Sequence, residues 1–180
     1  MLIVGLDKLT NILVINMGAK MPDKIFGVKG GPIEGVVIKK LTKSPHERGC
    51  IYHMIKKEDE DFNGFGEIYF STIYPGVVKG WHIHKEIELN YAVISGDIKM
   101  VLYDDRPRSK TKGNLMEIFT GEENYLLIKV PPKVWNGFKG VGVKEAIVAN
   151  CATLSHDSSE IERLDPLAKD IPYDWSLKNG

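Results

Sequence analysis

The sequence predicts an all-β protein built as an antiparallel sandwich or barrel. Apolar residues occur in short runs rich in β-branched and aromatic side chains, and most runs end at glycine, proline or charged residues. These runs recur at nearly regular intervals between Gly35 and Cys151. Such spacing is typical of antiparallel strands joined by short connections. The sequence contains no internal repeat and no low-complexity tract.

Length and charge narrow the possible partners. The chain has 180 residues, enough for one domain with a sizeable core, and its 24 Lys and Arg balance its 24 Asp and Glu. We therefore expect neither nucleic acid nor a membrane as a partner. The absence of a basic leader and of a long apolar run predicts a cytoplasmic location. The only cysteines, Cys50 and Cys151, are expected to be buried free thiols.

The N-terminal region differs in texture from the rest of the chain. Residues 1–34 are predicted to be an attached arm, and residues 35–180 the main domain. Within the arm, Leu2–Gly5 and Ile12–Asn16 are candidate strands, whereas the prolines and glycines of Met21–Pro32 favour a loop. The arm is a candidate for pairing with another subunit.

Beyond the arm, each apolar run predicts one strand. The predicted strands are Val36–Ile38, Cys50–Ile55, Gly66–Tyr74, the strand that carries His82 and His84, Leu89–Ser95, Ile98–Tyr103, Leu115–Thr120, Leu126–Val130 and Val143–Cys151. Glycine, proline and charged clusters predict turns at Thr42–Gly49, Asp104–Gly113 and Pro131–Gly140. Short helical turns are predicted at Glu58–Asn63 and Asp157–Leu164.

The stretch from Pro75 to Gly96 carries the residues with the most chemical content. In a strand, His82 and His84 point to one face together with Gly80, while Trp81 and Ile83 point to the other. Two imidazoles on an apolar strand are structural histidines, metal ligands or proton-transfer groups.

The metal alternative depends on further ligands. Gly76, His82, His84 and Gly96 match the G-x5-H-x-H pattern of metal-binding double-stranded β-helix proteins, the cupins. However, Leu89 stands where that pattern has a glutamate, and Asn136 where it has a later histidine. Two imidazoles fall short of the three or four ligands that a transition metal usually has. No metal and no other cofactor is predicted, and a metal-dependent cupin stays an alternative.

Proton transfer needs fewer groups. One imidazole with a pKa near neutrality can remove a proton next to a carbonyl. Positive charge then stabilises the developing enolate oxygen. Lys79 and Arg48 are the candidates to bind such an enolate or a phosphate.

Four segments carry a resemblance to a known family. They are H-E-R-G at His46–Gly49, P-G-V-V-K-G-W-H at Pro75–His82, V-P-P-K-V-W-N-G-F at Val130–Phe138 and D-P-L-A-K-D-I-P-Y-D-W at Asp165–Trp175. Through them, residues 33–175 resemble the dTDP-4-dehydrorhamnose 3,5-epimerase family. The resemblance implies a cupin jelly roll, a homodimer, a nucleotide-linked 4-keto-6-deoxyhexose as substrate and a role in cell-surface polysaccharide synthesis.

The resemblance also implies roles for individual residues. A histidine at the position of His82 removes the proton at C3 or C5, an arginine at the position of Arg48 contacts the nucleotide phosphates, and an arginine at the position of Lys79 lies near the sugar. The lysine keeps the charge but lacks the bidentate fork of arginine. The two family tyrosines fall at Ala149 and Ser155, and the acidic partner of the histidine has no counterpart.

Other polar residues are weighed from their strand positions. Glu67, Tyr69 and Ser71 share one face, and Tyr69 is either a replacement acid, a ring that stacks on sugar or a packed core residue. Asn90 and Tyr91 take opposite faces, so at most one of them reaches a cavity. The other histidines are expected to be surface or structural residues; they are His46, His53 and His156.

The segment W-H-I-H-K at Trp81–Lys85 also resembles the nucleotide-sugar 3,4-ketoisomerases, which have a glutamine where Leu89 stands. We therefore predict an epimerase without a cofactor that acts on a nucleotide-linked sugar. Its predicted catalytic residues are His82, His84, Lys79 and Tyr69. Its predicted substrate-binding residues are Arg48, Glu67, Asn136 and Trp135. The alternatives are a ketoisomerase, a non-catalytic sugar-nucleotide-binding protein and a metal-dependent cupin.

Overall fold

The computed structural model describes the backbone of residues 12–14 and all of residues 28–177. Within this part of the chain, the regular structure consists of short β-strands, with no α-helix. In order, the strands are β1 Ile12–Val14, β2 Val28–Gly30, β3 Val37–Lys40, β4 Lys43–His46, β5 Gly49–Tyr52, β6 Glu67–Ile73, β7 Val78–His84, β8 Leu89–Ser95, β9 Asp97–Tyr103, β10 Leu115–Gly121, β11 Leu126–Val130, β12 Trp135–Gly140, β13 Ala146–Ala152 and β14 Ile161–Arg163.

Two antiparallel sheets form the body of the protein. One has the strand order β1-β3-β11-β8-β13-β6 and the other β14-β7-β12-β9-β10-β2, while β4 and β5 form a separate hairpin. Apolar side chains from both sheets interlock in one buried core that includes Ile38, Leu89, Met100, Ile118 and Ile128. Two packed antiparallel sheets of this kind constitute a jelly roll, so the predicted all-β fold is confirmed.

A second apolar cluster lies on the outer side of the β7 sheet. Trp81 and Val101 pack there against Ile171 and Trp175 from the C-terminal segment. The Trp81 and Trp175 rings have centroids 5.0 Å apart. The C-terminal segment thus covers the face of β7 that is opposite to its histidines.

The predicted turn at Pro131–Gly140 is wrong over most of its length. Trp135–Gly140 is strand β12, which lies between β7 and β9. Its glycines serve packing rather than a turn, since a Cβ on Gly137 would lie 2.9 Å from the Cα of Gly80. The absence of a side chain at Gly137 therefore lets β12 approach β7 closely.

The predicted helical turn at Asp157–Leu164 is also wrong. After a short turn, Ile161–Arg163 forms strand β14, which pairs with β7. The edge of β7 that does not pair with β12 offers backbone hydrogen bonds to β14, and these outweigh a weak local helical preference. Residues 58–63 likewise form turns and loop rather than helix.

Other differences concern the first third of the chain. The predicted turn at Thr42–Gly49 is mostly the hairpin of β4 and β5, and the predicted loop at Met21–Pro32 includes strand β2, which pairs with β10. Cys50 is exposed rather than buried, whereas Cys151 is buried. The candidate strand at Leu2–Gly5 lies outside the described residues. In the described residues, no helix has the length and apolar character needed to cross a membrane.

Candidate active site

A cavity of about 640 Å³ opens between the two sheets, beside β6, β7, β8, β13 and β14. Its floor is apolar, with Ile87, Leu89, Phe138 and Val148 among the lining residues. Its polar side chains are those of Glu67, Tyr69, Ser71, Lys79, His82, His84, Tyr91, Asn150, His156 and Arg163. A largely apolar pocket with convergent polar groups is the usual form of a small-molecule site.

Strand β7 places both histidines in the cavity wall. The centroids of the His82 and His84 rings are 6.1 Å apart, as expected for residues two positions apart on one face of a strand. Trp81 points to the outer cluster instead. The alternation seen in the sequence thus predicts the sides of Trp81, His82 and His84 correctly. It is wrong for Gly80, where a Cβ would lie 3.5 Å from the Trp175 ring of the outer cluster, because the pairing of β7 with β12 shifts register at this point.

The pKa of His82 is strongly lowered. Burial lowers it most, and the neighbouring His84 and Arg163 lower it further, to about 4. The cause is that an imidazolium in an apolar, electropositive cavity loses hydration and gains repulsion. At neutral pH, His82 is therefore uncharged and able to accept a proton.

The side chain of His82 is hydrogen-bonded on the side away from the cavity. Its Nε2 lies 3.1 Å from the hydroxyl of Tyr91, which donates a hydrogen bond of 3.1 Å to Oδ1 of Asn136. Both partners are buried. His82 thus contacts the cavity on one side and a fixed polar chain on the other.

His84 has a different environment. Its Nδ1 lies 2.5 Å from Oε2 of Glu160, and the other oxygen of Glu160 accepts hydrogen bonds from the backbone N–H groups of Glu86 and Ile87. Burial alone would raise the pKa of Glu160, but these two N–H groups and His84 together lower it. Glu160 therefore stays ionised and fixes both His84 and the turn that follows β7.

Strand β6 places Glu67, Tyr69 and Ser71 on the opposite wall. The Nδ2 of Asn150 donates a hydrogen bond of 2.6 Å to the Tyr69 hydroxyl, and Nζ of Lys79 donates one of 2.9 Å to Oγ of Ser71. Burial and, to a lesser extent, Glu67 raise the pKa of Tyr69, while Asn150 and Arg163 oppose the rise. Tyr69 is therefore a protonated phenol whose oxygen already accepts a hydrogen bond.

Comparison with known proteins assigns the family. Residues 31–179 match the family described as dTDP-4-dehydrorhamnose 3,5-epimerase. The chain belongs to this family. The predicted family is thereby confirmed, and with it the prediction of an isomerase of the sugar-nucleotide epimerase type.

Two curated relatives of this epimerase cover most of its length. A probable low-salt glycan biosynthesis epimerase of Haloferax volcanii is 33% identical over 144 residues, which are 79% of this chain and 89% of the relative. A spore coat polysaccharide biosynthesis protein of Bacillus subtilis is 32% identical over 142 residues, or 79% and 91%. These names agree with the predicted role in polysaccharide biosynthesis.

Solved structures share the jelly roll of this epimerase. A dTDP sugar isomerase from Desulfovibrio desulfuricans has a TM-score of 0.79 at 39% identity, covering 82% of this chain and 94% of that one. A 3,5-epimerase from Legionella pneumophila, solved with dTDP-4-keto-L-rhamnose, has a TM-score of 0.73 at 21% identity, covering 84% and 85%. The second similarity concerns the fold alone.

The structure separates the predicted site residues of this epimerase into two groups. The cavity brings together His82, His84, Lys79, Tyr69 and Glu67. Asn136 is buried behind the wall, in contact with Tyr91. Arg48 is exposed on the β4–β5 hairpin, where it contacts His46, and Trp135 lines a second pocket beside Arg106 and Lys133.

Sequence reasoning assigns no role in the site to several residues that lie near the two histidines. Tyr91 lies two residues after Leu89 on β8, and both side chains face the cavity. The spacing predicts that they share a face, but only the structure shows that this face lines the cavity. Arg163 and Glu160 lie about eighty positions from the histidines, and the pairing of β14 with β7 brings them close. His156 is exposed, as expected for a surface residue, and it also lines the cavity.

The structure shows what surrounds Ala149, the position to which the family's tyrosine aligns. On β13, Val148, Asn150 and Ala152 face the cavity, so Ala149 faces away. Asn150 pairs with Tyr69 across β13 and β6 and bonds to its hydroxyl. A phenol therefore does stand beside this part of β13, but it comes from the neighbouring strand.

The geometry around the two histidines also bears on the metal alternative. Among the described residues, no three His, Cys, Asp or Glu side chains are grouped so that they could hold a metal ion. His82 contacts Tyr91 through Nε2, and His84 contacts Glu160 through Nδ1. Leu89, at the position of the cupin glutamate, contributes an apolar surface.

Proposed function

We propose that this protein epimerises a carbon next to the C4 keto group of a nucleotide-linked 4-keto-6-deoxyhexose, with His82 as the base and Tyr69 as the acid. One observation carries the proposal: the two groups enter a single cavity from facing sheets, His82 on β7 and Tyr69 on β6. A sugar ring bound between the sheets presents one face to each group. Removal of a proton on one face and its return on the other inverts the carbon.

The first step is enolisation. Neutral His82 takes the proton from C3 or C5, the C–H electron pair forms the C=C bond of the enolate, and the carbonyl π electrons move onto the C4 oxygen. The lowered pKa of His82 supports this role, since the imidazole is unprotonated at neutral pH.

The second step returns a proton to the opposite face. The Tyr69 O–H protonates the carbon of the enolate, the C4 carbonyl re-forms, and solvent returns a proton to the phenolate while His82 releases its own. The hydrogen bond from Asn150 supports this role, because the Tyr69 oxygen accepts it and its own proton stays available.

The enolate oxygen needs positive charge. Arg163 lies opposite His82 in the β14–β7 pair, and Lys79 lies on β7 with its ammonium on Ser71. No carboxylate of the described residues forms an ion pair with Arg163. These two cations are assigned to the enolate oxygen and to a substrate phosphate, with Glu67 as a hydrogen-bond acceptor for sugar hydroxyls.

The proposal also includes the sequence predictions for the nucleotide contacts, the N-terminal arm, the location and the oligomeric state. Arg48 and Trp135 stay predicted contacts for the nucleotide, and residues 1–34 stay a predicted arm on the 35–180 domain in a cytoplasmic enzyme. A homodimer is supported by β6, which is an edge strand of its sheet among the described residues and whose outer face exposes Ile68 and Phe70. Sedimentation of the full chain tests the dimer.

The deciding experiment is proton NMR of dTDP-4-keto-6-deoxyglucose with the protein in deuterated water. We expect the C3 or C5 proton signal to disappear at a rate that falls at least a hundredfold in His82→Ala. His53→Ala changes an exposed histidine outside the cavity and serves as the matched control. Exchange that survives in His82→Ala would overturn the assignment of the base. Exchange at C3 with movement of the keto group to C3 would identify a 3,4-ketoisomerase instead.

A further inference from the structure

The hydrogen bonds behind His82 have a definite direction that begins at Asn136. Nδ2 of Asn136 lies 3.1 Å from the carbonyl oxygen of His82 and 3.4 Å from that of Val134. Backbone carbonyls only accept hydrogen bonds, so the amide must point its NH₂ group at them. Its Oδ1 is therefore directed at Tyr91.

The orientation of Asn136 fixes which hydrogen bond the Tyr91 hydroxyl donates and which it accepts. An amide oxygen also only accepts, so the single hydroxyl proton of Tyr91 is donated to Asn136, at 3.1 Å. The Tyr91 oxygen is then left to accept a hydrogen bond from Nε2 of His82, also at 3.1 Å. Burial raises the pKa of Tyr91 well above its usual value, so the phenol does not ionise.

We propose that Tyr91 and Asn136 are positioning residues that hold His82 as the Nε2–H tautomer and thereby present Nδ1 as the basic nitrogen. A neutral imidazole carries one proton, so donation from Nε2 leaves Nδ1 unprotonated. No described residue forms a hydrogen bond with Nδ1. This inference rests on the proposed function only in calling that nitrogen the catalytic base.

The chain also explains how the base is oriented without a carboxylate. An acidic partner would orient the ring and raise the pKa of His82 at the same time. Tyr91 and Asn136 are uncharged and buried, with 3% and 1% of their surfaces exposed. They orient the ring while its pKa stays low, and the imidazole remains unprotonated over a wide pH range.

The test is ¹⁵N NMR of the histidine side chains in the full protein without substrate. Protonated and unprotonated ring nitrogens have well-separated shifts, so the tautomer of His82 is read directly, with His82→Ala to assign its signals. We expect Nε2 to be protonated and Nδ1 bare in the wild type. A wild-type spectrum with the proton on Nδ1 would overturn the proposal whatever the protein's activity.

Two variants change the chain in different ways. Asn136→Leu removes the acceptor for Tyr91, whose hydroxyl then donates to Nε2 and moves the imidazole proton to Nδ1. Tyr91→Phe removes the hydroxyl and leaves Nε2–H without a partner, so the Nδ1–H population rises. The signals of His84, held by Glu160, serve as an internal check that each variant is folded.

Kinetics separate positioning from structural damage. In both variants we expect kcat for exchange to fall about tenfold or more with KM nearly unchanged, and Asn136→Leu to lose more than Tyr91→Phe. Tyr52→Phe, which changes a tyrosine outside the cavity, is the matched control. Unaltered tautomers and kcat in folded Tyr91→Phe and Asn136→Leu would overturn the positioning role. Absence of any exchange in the wild type would instead refute the proposed function and leave the tautomer result standing.

Discussion

Arg163 lies directly opposite His82 in the antiparallel pair of β14 and β7. Residues opposite each other in such a pair point to the same face, and both side chains line the cavity. The guanidinium contributes to the low pKa of the imidazole. The proposed base and a cation therefore lie side by side in the cavity wall.

Replacement of Arg163 tests this pairing. We expect Arg163→Gln to lower kcat/KM for proton exchange about a hundredfold, because the enolate oxygen loses a nearby positive charge. The acid limb of the pH profile is expected to move upward as well, because one cause of the lowered pKa of His82 disappears. Arg108→Gln, on the loop beside the second pocket, is the control. Equal kinetics of Arg163→Gln and the wild type would remove Arg163 from the mechanism.

Replacement of Tyr69 separates the two proton transfers. We expect Tyr69→Phe to retain exchange of the substrate proton with solvent, because His82 still enolises the sugar, but to lose inversion at least a hundredfold. The measurement is proton NMR in deuterated water, which reports exchange and configuration together. Tyr74→Phe, an exposed tyrosine just after β6, is the control. Inversion at the wild-type rate in Tyr69→Phe would show that another group returns the proton.

The low pKa of His82 predicts activity in mild acid. The acid limb of kcat/KM should lie near pH 4, instead of near the ordinary histidine value of about 6.5. The raised pKa of Tyr69 predicts no loss of its acid below pH 10. A pH profile recorded with circular dichroism at each pH checks both limbs. An acid limb near 6.5 in folded protein would contradict the environment described for His82.

The lowered pKa of His82 also determines the direction in which stability changes with pH. Between pH 6.5 and pH 4, the unfolded chain binds a proton at His82 that the folded protein does not, so stability decreases as the pH falls through this window. The size of the effect is about 3 kcal/mol at most. Urea unfolding of the wild type and His82→Asn at pH 7 and pH 4.5 measures it. A larger loss for the variant than for the wild type on acidification would reverse the predicted sign.

Glu160, the residue just before β14, binds the turn that follows β7. Glu160→Gln is expected to lower the free energy of unfolding by about 1–3 kcal/mol, because the carboxylate accepts bonds from His84 and two backbone N–H groups that become poorly satisfied. Thermal and urea unfolding provide the measurement. Glu162→Gln is the control, since Glu162 lies two residues further on, in β14, and its side chain is exposed. A stability equal to that of the wild type would show that water replaces these contacts.

The sequence by itself determined the features that depend on local periodicity. Alternation of side chains over two residues was enough to place His82 with His84 and Tyr69 with Glu67 on common faces, and the family segments were enough for the jelly roll. The turn at Pro131–Gly140 and the helical turn at Asp157–Leu164 were mispredicted from equally local signals. In both places, the backbone groups pair with β7, a partner more than forty residues away.

Only the tertiary structure decided what surrounds the two histidines. Tyr91, Asn136, Glu160 and Arg163 come from three other strands and a loop, and no spacing in the chain connects them to the histidines. Strand pairing and the facing of two sheets set these contacts, and both depend on hydrogen bonds and burial summed over the whole fold. His82 could therefore be proposed as the base from its strand, whereas its tautomer, its pKa and its partners depend on side chains that folding brings together.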